Sequence, residues 1–146
     1  NLAEEFIAEY SERRFECDLQ PGARALIEEL SRRGVPQAVL SAYEQRALLE
    51  STDYFELTPF FDDIVGLNDI YASGKVANGL KYIGELNHAP ADVLFIGDTL
   101  HDFEVAAAMG VNCALVANGH NSRARLETRG VPVLDSLAEI RDYILD

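Results

Sequence analysis

Asp98 and Asp102 stand four positions apart, directly after the apolar run Val93–Ile96 and Gly97. Two carboxylates that converge where a buried strand ends suit a hard, oxygen-loving cation such as Mg²⁺. In an open α/β sheet the carboxyl ends of the strands are also where ligands bind. Ser41 follows Val39-Leu40, and its hydroxyl together with the Ala42 amide, near a helix start, makes an anion site. Lys75 lies in Ser73-Gly74-Lys75, immediately before a helical stretch, where a compact point charge reaches a phosphate. Lysine is scarce: only Lys75 and Lys81 occur, the other ten bases being Arg, and Lys81 reads as a solvated mid-helix residue. Each of these residues has a plainer role open to it. Asp98 and Ser41 suit helix N-caps, Asp102 a solvated first-turn acid, and Lys75 an ordinary surface residue. His88, His101 and His120 lack metal-ligand spacing and read as polar loop or surface residues.

The elements that must position these groups alternate. Leu2–Arg14, apolar at Leu2, Phe6, Ile7 and Tyr10, fits a helix. Pro21-Gly22 punctuates, Ala23–Arg33 is a second helix stopped by Gly34, and Gln37–Leu40 is a strand ending at Ser41. Tyr43–Glu50 reads as helix, Thr58-Pro59 as loop, Ile64–Leu67 as strand and Val76–Leu86 as helix. Val93–Ile96 is short, β-rich and uninterrupted, as a strand buried on both faces should be. Gly97 lets the chain turn, and Asp102–Met109 favours helix up to the stop at Gly110. Asn112–Val116 is a strand, Ser122–Arg129 a helix, Val131–Leu134 a strand and Ser136–Leu145 the closing helix. Strands alternating with helices imply βαβ units and a mainly parallel α/β sheet in one domain.

Composition sets the bounds. The 146 residues are 48% hydrophobic and 25% charged, ordinary for a globular domain. The net charge of −13 and the lack of a basic stripe argue against nucleic acid as a partner. No apolar run approaches ~20 residues, so no membrane span is expected. Cys17 and Cys113 are isolated, Cys113 reads as a small core residue, and a reducing cytoplasm is the expected location.

The order strand–Ser41, then Gly74-Lys75 before a helix, then strand–Gly97-Asp98-Thr99-x-x-Asp102, resembles the haloacid dehalogenase superfamily. Its phosphatase branch, with phosphoglycolate-phosphatase-like enzymes, looks most similar. Pro21-Gly22 before a Leu-rich helix and the Gly110-Val111 ending are similar too, so the likeness runs roughly from Leu19 onward. It implies a Rossmann-like core, a mainly parallel sheet flanked by helices. Ser41 would bind the transferring phosphoryl group with Ala42, Lys75 would stabilise its charge, and Asp98 and Asp102 would hold Mg²⁺ directly or through water. The implied activity is Mg²⁺-dependent hydrolysis of a small phosphorylated metabolite through an aspartyl-phosphate intermediate.

One departure qualifies this. The family opens with a strand ending in D-x-D, whose first Asp attacks phosphorus, and this chain has no D-x-D. Asp62 and Asp63 precede the Ile64–Leu67 strand, and Asp69 lacks a partner acid two residues on. The expectation is therefore a partial core over residues 19–146 lacking its first strand, with residues 1–18 a helix returning from an absent cap. The nucleophile would lie outside these residues, and the chain alone would be inactive. A sheet without its middle strand would leave a slot beside Val93–Ile96, to be filled by a missing segment, a partner chain or a rearrangement. Ser41, Asp69, Asp98 and Asn118 are expected near one sheet edge. Two other functions compete: a non-catalytic binding module of the same fold, and a receiver-type signalling domain. Chain order disfavours the receiver, which places its acids early and its lysine last.

Overall fold

Val93-Leu94-Phe95-Ile96 buries every one of its residues because both sides of it are covered. In the computed structural model, which describes residues 5–8, 22–67, 75–86, 88–117 and 123–145, this run is part of β4 (Val93–Gly97). Val93 and Phe95 pack into one core cluster, with Val105, Met109 and Leu115. Leu94 and Ile96 pack into the other, with Leu26, Leu30, Ile140 and Ile144. Alternating residues of one strand thus serve two cores, the signature of a parallel sheet sandwiched between helices.

The other strands are β1 (Glu5–Ala8), β2 (Gln37–Glu44), β3 (Asp63–Leu67), β5 (Asn112–Val116) and β6 (Val133–Leu134). They form one sheet in the order β3-β2-β1-β4-β5-β6, with every pairing parallel. The helices are α1 (Ala23–Arg32), α2 (Gln45–Tyr54), α3 (Lys75–Glu85), α4 (Leu100–Met109), α5 (Arg123–Glu127) and α6 (Leu137–Leu145). This strand order is that of a doubly wound Rossmann-like sheet, whose switch point falls between β1 and β4.

The middle of the sheet corrects the expectation there. Residues 5–8 are strand, not part of a helix over Leu2–Arg14, and the slot between β2 and β4 is filled from within the chain. The physical reason is backbone satisfaction. Buried edges of β2 and β4 left unpaired would strand a row of N–H and C=O groups, a cost that overrides the helical spacing of Phe6 and Ile7. Glu5-Phe6-Ile7-Ala8 meets Val93 through Ile96 on one side, and Phe6 to Ala8 meets Gln37 to Val39 on the other.

Other boundaries move less. The strand expected to stop at Leu40 runs on to Glu44, so α2 starts at Gln45 rather than at Tyr43. Thr58-Pro59 lies in a short 3-10 turn. Gly110 ends α4 in the left-handed conformation (φ 77°) that glycine adopts without strain.

On the far face, α1 and α6 are clamped together by Arg141, whose Nε and Nη2 donate to the two carboxylate oxygens of Glu29 at 2.6 and 3.0 Å. Arg33 adds a third bond to the same carboxylate. The Arg141 hydrogen bond, and then Arg33, hold the Glu29 carboxyl below its ordinary value of 4.5. A depressed carboxyl stabilises the fold fully above its unfolded value and loses that contribution as pH falls through the folded one. The Tm deficit of Arg141→Leu should therefore be largest near neutrality and shrink as pH is taken below 4.5. A deficit that does not change with pH in a Tm series would refute the clamp.

Candidate active site

Register places the site. Ala8 pairs with Val39 on one side and with Ile96 on the other, so these two residues stand at the same height in the sheet. Ser41 and Asp98 each lie two residues further on, at the same carboxyl edge, with one strand between them. Two inter-strand spacings separate them by about 10 Å. The expected meeting of Ser41 and Asp98 on one edge is therefore found. Lys75 is the first residue of α3, on the crossover from β3. Asp69 and Asn118 lie outside the described residues, as do Cys17 and His120.

Ser41 is fully buried, at 0% exposure, and sits inside a strand irregularity. Leu40 pairs with Val65 and Glu44 with Leu67, so three residues of β2 (Ser41, Ala42 and Tyr43) face the single residue Gly66 of β3. Such bulges bend a strand and re-aim its side chains, often beside active sites. Ser41 is not a helix cap. Glu44 caps α2, its carboxylate accepting from the backbone N–H of Arg46 at 2.8 Å and of Ala47 at 3.1 Å.

The loop after β4 is built around Asp102. This residue stands in the first turn of α4, only 2% exposed. Its Oδ2 accepts from the N–H groups of Asp98 at 3.0 Å and Thr99 at 3.2 Å. Its own N–H donates to Thr99 Oγ1 at 3.1 Å, completing a capping box. Thr99, not Asp98, is the N-cap, and Asp102 is neither solvated nor turned outward. Gly97 needs no unusual backbone angle; it is a glycine because Asp102 occupies the space. A Cβ on residue 97 would lie 2.4 Å from Asp102 Cβ and 2.6 Å from its Oδ2. The tight packing holds the half-exposed Asp98 at the strand end.

The donor set fits Mg²⁺ through Asp98 and only indirectly through Asp102. Mg²⁺ keeps several waters and takes one or two protein carboxylates alongside substrate phosphate. Asp98 offers a carboxylate of that kind, whereas Asp102 spends Oδ2 on the loop amides. Among the described residues no cluster of three or more His, Cys, Asp or Glu side chains is assembled to hold a metal.

The remaining reactive groups lie elsewhere. Cys113 is buried, and desolvation, then the charge of Asp102, pushes its thiol up to about 12. It lines a groove of about 730 Å³ with Leu94, Asn112, Val131 and Pro132. That groove flanks residues at the starts of β4, β5 and β6, so it opens at the sheet edge opposite Ser41 and Asp98. His101 is exposed on α4, 3.5 Å from Glu104.

Sequence comparison and structure comparison point the same way. The family model described as haloacid dehalogenase-like hydrolase matches residues 1–116. A phosphoglycolate phosphatase from Pseudomonas syringae is 28% identical over 143 residues, covering 97% of this chain and 53% of that protein. Phosphoglycolate phosphatase 1 of Pseudomonas aeruginosa is 26% identical over 137 residues, covering 92% of this chain and 50% of its own length. The chain thus spans about half the length of the curated relatives it matches. Among solved structures, a predicted phosphatase from Clostridium acetobutylicum superposes with a TM-score of 0.82 at 25% identity, covering 88% of this chain and 60% of that one.

Proposed function

The chain belongs to the haloacid dehalogenase-like hydrolases, and on that premise we propose that it carries the phosphoryl-binding half of a Mg²⁺-dependent phosphohydrolase for small phosphate monoesters. The observation that carries this reading is the common height of Ser41 and Asp98 on the strands either side of β1, beside the switch point and about 10 Å apart across one strand. In this reading the phosphoryl group binds at the sheet edge that they share. Ser41 and the Ala42 amide hold its oxygens, and Lys75, the first residue of α3, is the cation assigned to its charge. Asp98 holds the metal, and Asp102 fixes Asp98 by fastening the loop behind it. Bound Mg²⁺ would neutralise phosphoryl oxygens and make phosphorus a better electrophile. The attacking carboxylate comes from a D-x-D strand outside these 146 residues, since no D-x-D occurs within them. The phosphoglycolate phosphatase relatives make phosphoglycolate the first ester to try.

A binding module without catalysis is the second reading. It is favoured by Glu5–Ala8, which fill the central strand position and carry no D-x-D.

Titrating inorganic phosphate with Mg²⁺ into the ¹⁵N-labelled chain tests the site common to both. Amide shifts should concentrate at Ser41–Ala42 and Asp98–Thr99. Ser41→Ala should weaken phosphate binding about tenfold, as loss of a hydrogen bond to a charged group does. Mg²⁺ alone should bind weakly, and Asp98→Ala should abolish its effect. Tight Mg²⁺ binding in calorimetry that survives Asp98→Ala would overturn the metal assignment.

A further inference from the structure

Gly66 is the one residue of β3 set opposite the three-residue bulge of β2 that carries Ser41. Its ladder partner has been bent away, yet both of its backbone groups are satisfied by side chains. The Gly66 N–H donates to Gln45 Oε1 at 2.5 Å, and Gln45 Nε2 donates to the carbonyl of Ile64 at 2.8 Å. The Gly66 carbonyl accepts from Asn78 Nδ2 at 2.9 Å. Gln45 is the first residue of α2, immediately beyond the bulge, and Asn78 stands one turn into α3, three residues after Lys75.

We infer that Gln45 and Asn78 are positioning residues that lock the Ser41 bulge and α3 to each other through the Gly66 peptide. The inference rests on the reading above that Ser41 and Lys75 serve one phosphoryl group. The geometry is specific. The Gln45 amide reproduces the two bonds that a regular β2 would have made to Ile64 and Gly66, so the bulge exists without unpaired backbone behind it. Asn78 then ties Gly66, through its carbonyl, to the helix that begins with Lys75. Ser41 lies in β2 and Lys75 heads α3, 34 positions apart in sequence, and Gly66 is where side chains from α2 and α3 meet. Binding sites need such supporting bonds because small displacements of a binding group cost much of its effect.

The test uses the 146-residue chain, with Gln45→Leu and Asn78→Leu as separate variants and Gln45→Glu as the conservative one. Amide hydrogen exchange is followed at Gly66 and at residues 41–44, with α1 and α6 as internal reference. Gln45→Leu should raise exchange at both places about tenfold and leave α1 and α6 unchanged. Asn78→Leu should do so at Gly66 and shift the Ser41 amide, although Asn78 is on another helix. Gln45→Glu keeps the oxygen that accepts from Gly66 and should retain most of the Gly66 protection. Inorganic phosphate with Mg²⁺, titrated well below each variant's Tm so that the chain is fully folded, should bind about tenfold more weakly to each leucine variant, a loss that a general drop in stability would not produce. The inference is overturned if exchange at residues 41–44 is unchanged in Gln45→Leu, or if phosphate binds that variant as it binds the parent. Should the parent chain itself bind no phosphate, the phosphoryl-site reading fails. The exchange data alone then decide whether the junction exists. If Gln45→Leu does not fold, Asn78→Leu and Gln45→Glu carry both readouts.

Discussion

The 146-residue chain by itself should hydrolyse p-nitrophenyl phosphate no faster than background, and Mg²⁺-dependent turnover should appear once a strand ending in D-x-D is supplied. Phosphoryl transfer through a covalent intermediate needs a nucleophile at the phosphorus. Among the described residues, the carboxylates at the sheet's carboxyl edge are otherwise engaged: Asp98 is the metal ligand of the proposal, Asp102 accepts from two loop amides, and Glu44 caps α2. The Cys113 thiol, pushed up to about 12 by burial, supplies no thiolate at neutral pH and lies towards the other edge. His88 belongs to the loop that leads into the start of β4, again the opposite edge. In a chain supplied with that strand, Lys75→Ala should cost on the order of 10²–10³ in rate, the usual effect of losing one charge-stabilising donor. A chelator should abolish turnover. Supplying the strand also means displacing Glu5–Ala8, because those four residues already pair with the facing edges of β2 and β4. If the chain alone turns the ester over with full metal dependence, the missing-nucleophile argument is wrong. If the complete protein stays inert across a broad panel of phosphate esters, the binding-module reading replaces it.

Much of this architecture was legible in the residue pattern. Val93–Ile96 and Asn112–Val116 announce doubly buried strands because neither interrupts its apolar run with a charge, and both are found where expected. Ser41 and Asp98 could be placed on one edge because strand ends in a parallel sheet share an edge. The errors have local causes. Leu2–Arg14 carries a helical spacing, and only the tertiary demand of two open strand edges turns residues 5–8 into β1. The bulge at Ser41–Tyr43 left no mark in the sequence, because a strand that pauses and resumes looks like one that ends. Glu44 is an uncommon cap, and nothing in its type suggested it. Thr99-x-x-Asp102, by contrast, is a capping-box pattern in plain view. Reading Asp102 as a metal ligand leaves that pattern unused. Gln45 and Asn78 were passed over because a side chain that replaces a ladder partner has no sequence signature at all.

The largest stability effects should come from the Gly97–Asp102 contact. A methyl on residue 97 would sit 2.4 Å from Asp102 Cβ, an atom fixed by the first turn of α4 and unable to swing aside. Gly97→Ala must therefore push the helix start away from the end of β4. Overpacking of this kind costs about 1–3 kcal/mol, and partial loss of the cap adds about 1 kcal/mol. For a domain of this size that corresponds to a Tm lower by roughly 5–12 °C. Asp102→Ala removes the acceptor for two loop amides and should cost about 1–3 kcal/mol. Asp102→Asn keeps an oxygen at the same place and should cost clearly less. Asp98→Asn leaves the cap intact and should hardly move Tm, while removing the response to Mg²⁺. The two aspartates of one motif thus separate by experiment: one sets the melting temperature and the other the metal. Thermal melts and Mg²⁺ titrations of the four variants decide it. An Asp102→Ala protein as stable as the parent would contradict the capping role. An Asp102→Asn protein that loses Mg²⁺ as completely as Asp98→Asn would return Asp102 to the metal.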